Sequence, residues 1–198
     1  RRRVAAALGL VLAVYALYWV VGIVDPHVYR VSFLLIAIVL SIVAHPSGTT
    51  RMHAIWDGLW IALTIAAFAW PLSDIDAFVN RAATPSVIDV AAGCVALLVV
   101  LEATRRTTGW VLPITALVFL GYAVTGPLLD RVGLDLIAHR GYGITRLIGT
   151  IYMTLEGIFG VPLDVATTYI VLFTIYGAIL EHSGAGRFFV DWTTAAIG

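Results

Sequence analysis

Carboxylates within long apolar stretches are the residues of this chain that could do chemistry, because a charge in such a setting is costly and must be paired or used. Among the carboxylates in or at the ends of such stretches are Asp57, Asp89, Glu102 and Glu181. Ion pairing, proton transfer and cation binding are the roles open to them. Each carboxylate therefore needs a structural interpretation beside a functional one.

Asp57 lies about one helical turn inside an apolar stretch, within reach of its aqueous edge. A structural role, as an interfacial acid near Arg51 or His53, is favoured over a functional one. Glu102 precedes Arg106 by four residues, which is the favourable order for an ion pair along a helix. We therefore predict a structural pair there rather than a transport role.

Ser86 and Asp89 have the spacing of a capping box, in which the acid also lies in the positive first turn of a helix. Glu181 and His182 precede a Ser-Gly-Ala-Gly stretch, whose glycines permit a helix to stop and the chain to reverse. Both patterns predict helix ends rather than reactive sites.

The sequence contains no recognisable catalytic or metal-binding motif. The histidines stand at segment ends without ligand spacing, and Cys94 has small and apolar neighbours that indicate helix packing. We therefore predict no enzyme, no cofactor, and no catalytic, cofactor-binding or metal residue. The five histidines are at positions 27, 45, 53, 139 and 182.

The elements that carry these residues are predicted to be transmembrane helices. Hydrophobic residues make up 61% of the 198 residues and charged ones only 12%, whereas a soluble domain usually has about a quarter charged. The formal net charge is zero, which gives no reason to expect a nucleic-acid partner. A bilayer core requires about 20 mostly apolar residues of helix. Six spans satisfy this, at about 4–24, 27–44, 54–72, 87–103, 110–129 and 163–180, with a polar connector at 73–86 and a further apolar segment begun at 187–198.

Arginine positions indicate the orientation. Six arginines lie on one side of the predicted membrane, in the N-terminus, the loop at Arg51 and the turn at Arg105 and Arg106. Among the first four spans, the other side has two. The positive-inside rule therefore predicts a cytoplasmic N-terminus. Arg131, Arg140 and Arg146 would then lie on the side opposite the cytoplasm, which counts against this orientation.

One segment has the periodicity of an amphipathic helix. Apolar residues recur from Ile144 to Ile158 at spacings of three and four, with polar residues on the other side. A helix lying in the membrane interface fits this pattern. A buried amphipathic helix packed on the bundle fits it equally well.

Several long runs in the second half of the chain are distinctive. They are residues 101–110 (LEATRRTTGW), 112–114 (LPI), 116–120 (ALVFL), 138–142 (AHRGY), 154–163 (TLEGIFGVPL) and 177–186 (GAILEHSGAG). These runs resemble the fused membrane subunits of TRAP (tripartite ATP-independent periplasmic) transporters, most closely the TAXI type, and they occur in the order of that family. The resemblance is specific from about residue 98 to 198, and before that only the layout of four helices agrees.

This resemblance implies a division of the chain and a function. Residues 1–106 would be the small, four-helix Q-type scaffold module, and residues 107–198 the connecting helix and the beginning of the large M-type transport module. Such transporters of bacterial or archaeal cytoplasmic (inner) membranes take up carboxylate-bearing solutes delivered by a periplasmic TAXI-type binding protein. A sodium or proton gradient drives the uptake without ATP.

The family's substrate and ion sites are expected beyond residue 198, in the remainder of the large subunit. The chain is therefore expected to be a fragment of a longer polypeptide or one part of a split one, and its start without methionine agrees with that. A membrane anchor or scaffold without transport activity of its own is the alternative. An intramembrane enzyme would need clustered polar residues that the sequence lacks.

Overall fold

The structure is a computed structural model that describes residues 1–131 and 139–197, with side chains described for 1–127 and 139–197. Within these residues every regular element is helical. The helices are α1 (Arg2–Val21), α2 (Pro26–Ala44), α3 (Arg51–Ser73), α4 (Ile75–Asn80), α5 (Val87–Thr108), α6 (Val111–Arg131), α7 (Ile144–Met153), α8 (Val161–Val165), a π-helix (Ala166–Ile170), α9 (Val171–Ser183) and α10 (Ala185–Ile197).

Five helices are long and apolar enough to cross a membrane: α1, α2, α3, α5 and the continuous helix Val161–Ser183, which includes the π-helix. They confirm five of the six predicted spans as helices. The predicted fifth span is also a helix, α6, of which Val111–Pro127 is the apolar part within the residues whose side chains are described. The predicted further helix is present as α10.

The main core lies where α2, α3 and α5 pack together and α7 closes one side. Phe68, Phe78, Val99 and Tyr152 are fully enclosed there. A smaller cluster joins α1 to α2, where the Trp19 ring stacks on Tyr29 at a centroid distance of 4.1 Å. By contrast, α1 and Val161–Ser183 bury little of their apolar surface within the described part of the chain, as expected for helices that face lipid.

One prediction about local structure was wrong, and one helix was not predicted. The connector at 73–86 contains the short helix α4, which Asp74 caps through the Ala77 amide and which buries Phe78. The amphipathic helix also ends at Met153 instead of continuing to Ile158. A Cβ at Gly157 would overlap the backbone of Ile151, so the chain folds back there in an approach too close for any side chain.

α7 packs against the bundle with one face buried. Its residues Ile148, Gly149, Tyr152 and Met153 are enclosed, and Gly93 of α5 lets the two helices approach closely. This contact favours the second interpretation of the amphipathic pattern, a helix packed on the bundle. The depth of α7 in a bilayer stays a prediction.

Candidate functional site

The Arg106 network, comprising Ser47, Asp57, Glu102, Arg105 and Arg106, closes one end of the helix bundle. The Arg106 guanidinium lies 2.7 Å from the Asp57 carboxylate and 2.7 Å from the Glu102 carboxylate. Arg105 forms a second pair with Glu102 at 2.7 Å, and the Ser47 hydroxyl donates to Asp57 at 2.8 Å. Two carboxylates and two guanidiniums thus balance in charge.

The Glu102–Arg106 pair confirms the prediction made from their spacing. Asp57 pairs with neither of its sequence neighbours, since Arg51 is exposed and the His53 ring bonds to the Thr50 hydroxyl. Its ion-pair partner is Arg106, because α3 and α5 pack side by side and bring the end of one against the start of the other.

The Asp89 network, comprising Trp70, Arg81, Ser86 and Asp89, lies at the opposite end of α3 and α5. Ser86 and Asp89 form the predicted capping box, with the Ser86 hydroxyl 3.2 Å from the Asp89 amide and the Ser86 amide 2.9 Å from the Asp89 carboxylate. The Trp70 indole donates to the same carboxylate at 2.8 Å, and the Arg81 guanidinium lies 3.2 Å from it. The hydrogen bond to Asp89 raises the pKa of the Arg81 guanidinium above its ordinary value.

The Arg30 contact ties α2 to the second half of the chain. Its guanidinium lies 2.7 Å from the Asp164 carboxylate and donates to the Phe159 carbonyl at 2.9 Å. One residue earlier, the Tyr29 hydroxyl donates to the Thr167 carbonyl at 2.9 Å within the π-helix. In the π-helix the Val171 amide donates to the Ala166 carbonyl, five residues back, and such irregular turns often occur at functional positions.

Two prolines inside long helices each free a backbone carbonyl, because proline has no N–H to donate four residues back. Pro71 frees the carbonyl of Ala67, which accepts a hydrogen bond from the Tyr152 hydroxyl. Pro127 frees the carbonyl of Ala123, which accepts from the Tyr142 amide at 2.9 Å. Burial raises the pKa of the Tyr152 phenol, so this hydroxyl remains a donor.

The remaining predicted features stand apart from these networks. Gly184 has a φ of 75° and ends α9 one residue after Glu181 and His182, which confirms the predicted helix end. Cys94 is partly buried against the main core. Within the described ranges no three His, Cys, Asp or Glu side chains meet as a metal site. Ala138, which begins the run 138–142, and the side chain of Arg131, which enters the prediction of orientation, lie outside the described part.

Comparison with known families decides what this arrangement belongs to. A family model of the tripartite ATP-independent periplasmic transporter, DctM component, matches residues 95–198. The chain belongs to the DctM family. Searches of curated proteins and of solved structures found no match.

Membership in the DctM family identifies the chain as a multi-pass membrane component of a TRAP transporter, a transporter family rather than an enzyme family. Such a component works in the membrane with a TRAP substrate-binding protein and other subunits. The matched region begins within α5 and contains Arg106, the freed Ala123 carbonyl and Asp164. The Arg106 network and the Arg30 contact therefore reach into it, whereas the Asp89 network lies before it.

Sequence reasoning missed the Arg30 contact and the two freed carbonyls. Arg30 and Asp164 are 134 positions apart, and no local pattern links them. The prolines were a usable signal, because a proline inside an apolar helix always leaves a carbonyl that another group must satisfy.

Proposed function

We propose that this chain takes part in the uptake of carboxylate-bearing solutes that a periplasmic TAXI-type binding protein delivers. A sodium or proton gradient drives the uptake, and ATP is not consumed. The observation that carries the proposal is the DctM match over residues 95–198. The TAXI type, the carboxylate substrate and the ion gradient rest on the resemblance of the sequence runs described above.

We further propose that residues 1–106 are a Q-type scaffold module and that residues 107–198 begin the M-type transport module. The family match begins at residue 95, close to this boundary. The buried Arg106 network supports a rigid module. Its charged groups share partners, and such a hydrogen-bonded network resists rearrangement. The Arg30 contact supports an attachment of this scaffold to the segment at Asp164.

The proposed location is the cytoplasmic (inner) membrane, with the N-terminus in the cytoplasm. Arg1, Arg105 and Arg106 converge at one end of the bundle, where the Arg1 guanidinium lies 3.7 Å from Asp57. Arg30 and Arg81 pair with acids at other helix ends. This clustering of arginines at one end supports the cytoplasmic N-terminus predicted from the sequence, because the positive-inside rule places arginine-rich ends in the cytoplasm.

Uptake by the intact gene product in proteoliposomes tests the function. Radiolabelled succinate and glutamate are the first probes, supplied with and without the binding protein. The proposal predicts accumulation that needs both the binding protein and an inward sodium or proton gradient. Accumulation that survives ionophores and needs ATP would contradict the mechanism, and no uptake of any carboxylate would favour an anchor without transport activity.

A further inference from the structure

Two cavities lie on either side of Ala123, which lines both, between α6 and the elements that pack on it. One has a volume of about 610 Å³ and the other about 530 Å³, both within the range of roughly 300–1,000 Å³ that is usual for ligand sites. The first, the basic cavity, is lined by Tyr122, Ala123, His139, Arg140, Tyr142 and Arg146. The second, the apolar cavity, lies between α5, α6 and α7.

The apolar cavity presents almost only aliphatic and aromatic carbon. Leu97 and Leu101 of α5, Phe119 of α6, and Leu147 and Ile151 of α7 line its walls. No polar side chain is among its described lining residues, so its contents are held by packing alone. A flexible hydrocarbon chain is the kind of group that suits such walls.

The basic cavity carries two positive charges. Arg140 and Arg146 line it, and none of its described lining residues is acidic. The Arg146 guanidinium lies 5.7 Å from the centroid of the Tyr142 ring, which favours its position through a cation–π contact. The His139 ring is already engaged, by the Tyr122 carbonyl at 3.0 Å and the Gly141 amide at 2.9 Å. The two arginines are therefore the groups available to an anion.

The segment that carries Arg140 is fixed to α6. Pro127 frees the Ala123 carbonyl for the Tyr142 amide, and Gly126 leaves space for the His139 ring, which a Cβ would meet. Gly141 has a φ of 71°, which residues other than glycine rarely adopt, and it packs against Pro127. The basic cavity is thus a built feature beside the apolar one.

We propose that the two cavities together bind one anionic phospholipid. Its phosphate lies between Arg140 and Arg146, and one acyl chain extends past Ala123 into the apolar cavity. Charge complementarity identifies the head group, because basic pockets between membrane helices favour anionic lipids. The adjoining apolar cavity identifies the rest of the ligand as a lipid rather than a free phosphate.

The discrimination among lipids comes from the arginines. Lipids with the same tails fill the apolar cavity alike, so this cavity contributes to their retention and not to the choice between them. The phosphate of a zwitterionic lipid is offset by its own cation, whereas an anionic head group has a net charge for two guanidiniums. Binding is therefore selective for anionic head groups and dependent on both arginines.

Native mass spectrometry of the intact gene product, purified in mild detergent, tests this site. The probes are phosphatidylglycerol and phosphatidylcholine with identical palmitoyl-oleoyl chains. We expect the wild type to retain phosphatidylglycerol roughly tenfold better or more, from the contribution of two basic residues near the head group. The double variant R140Q/R146Q is expected to retain the two lipids equally.

R187Q is the matched control, since Arg187 is exposed on α10 and lines neither cavity. It is expected to keep the wild-type preference. A116W fills the apolar cavity and is expected to lower the retention of both lipids severalfold. If A116W does not fold, R140Q/R146Q decides the matter, because both arginines are exposed and tolerate the change.

Equal retention of the two lipids by the wild type, or a preference that persists in R140Q/R146Q, would overturn the proposal. Displacement of phosphatidylglycerol by an equal concentration of glycerol phosphate would overturn it in favour of a small-anion site. A wild type that retains neither lipid would also overturn it, and would indicate that another polypeptide segment covers the cavities.

Discussion

Arg106 exposes only 3% of its side chain and lies between two carboxylates, one on its own helix and one on α3. Where a charge is enclosed in this way, its loss costs more than the pair contributes, because the partners remain buried without compensation. Glu102 would keep Arg105 as a partner, whereas Asp57 would keep only the Ser47 hydrogen bonds and the distant Arg1 guanidinium. The main consequence of losing Arg106 therefore falls on Asp57.

Arg106→Gln is expected to lower the free energy of unfolding by about 3 kcal/mol, since it leaves Asp57 as a buried charge without a close partner. Arg51→Gln is the matched control, because Arg51 is exposed near the same end of the bundle, and it should change the value by less than about 0.5 kcal/mol. Denaturant titration in mixed micelles measures both. Equal effects of the two substitutions would show that Arg51 shares the role assigned to Arg106.

Single-residue roles were predictable where the partners are close in sequence. The Ser86–Asp89 capping box and the Glu102–Arg106 pair follow from helical spacing, which fixes the neighbours of a side chain along one helix. The Asp57–Arg106 pair spans 49 positions. It depends on which helices pack together, and no local pattern encodes that.

Backbone carbonyls freed within helices connect elements that are distant in sequence. Tyr152 of α7 satisfies the Ala67 carbonyl of α3, and Tyr142 satisfies the Ala123 carbonyl of α6. In hydrocarbon an unsatisfied carbonyl is costly, because water is not available to replace the lost donor. The prolines thus specify docking points for the segment between α6 and α8.

Tyr152→Phe is expected to destabilise the protein by about 1–3 kcal/mol, since it leaves the Ala67 carbonyl without a donor. In the Pro71→Ala background the residue at position 71 regains an N–H that can donate to the same carbonyl. The cost of Tyr152→Phe should then fall by at least half, as measured in a double-mutant cycle by denaturant titration. An unchanged cost would mean that the hydroxyl does not serve the freed carbonyl.

Close approach of α5 and α7 gives a second prediction for the elements. Gly93→Ala places a Cβ against Ile148 and the Tyr152 ring, and is expected to cost about 1–3 kcal/mol and to increase amide exchange in α7. Gly58→Ala on α3 is the control, because nothing lies within 4 Å of a Cβ there, and it should be neutral or slightly stabilising. Equal amide exchange in α7 for the two variants would contradict the packing described.

Long helices were predictable and short ones were not. Apolar length located α1, α2, α3 and α5 closely, because burial in a bilayer imposes length and hydropathy on each span independently. α4 and the end of α7 were missed. Their boundaries depend on Asp74 capping a short turn and on the tight approach of Gly157 to Ile151, which hydropathy does not detect.

At the scale of the whole molecule, the arrangement of charged ends gives a topology that can be tested. With Cys94→Ser as the background, Thr49→Cys and Asn80→Cys place single exposed thiols in the α2–α3 loop and at the end of α4. A membrane-impermeant maleimide on intact cells is expected to label residue 80 and not residue 49. The reverse pattern would place the N-terminus in the periplasm.

We propose that the first four long helices and the DctM segment form one membrane unit of a gradient-driven transporter, joined at the Arg30 contact. The most direct test is the initial rate of carboxylate uptake by proteoliposomes that contain equal amounts of each variant. Arg30→Glu is expected to lower the rate at least tenfold, because it sets two acids against each other at Asp164. The double variant with Asp164→Arg should recover a substantial part of the rate, while Arg51→Gln keeps it. A wild-type rate in Arg30→Glu, or a loss that the double variant does not relieve, would contradict the account.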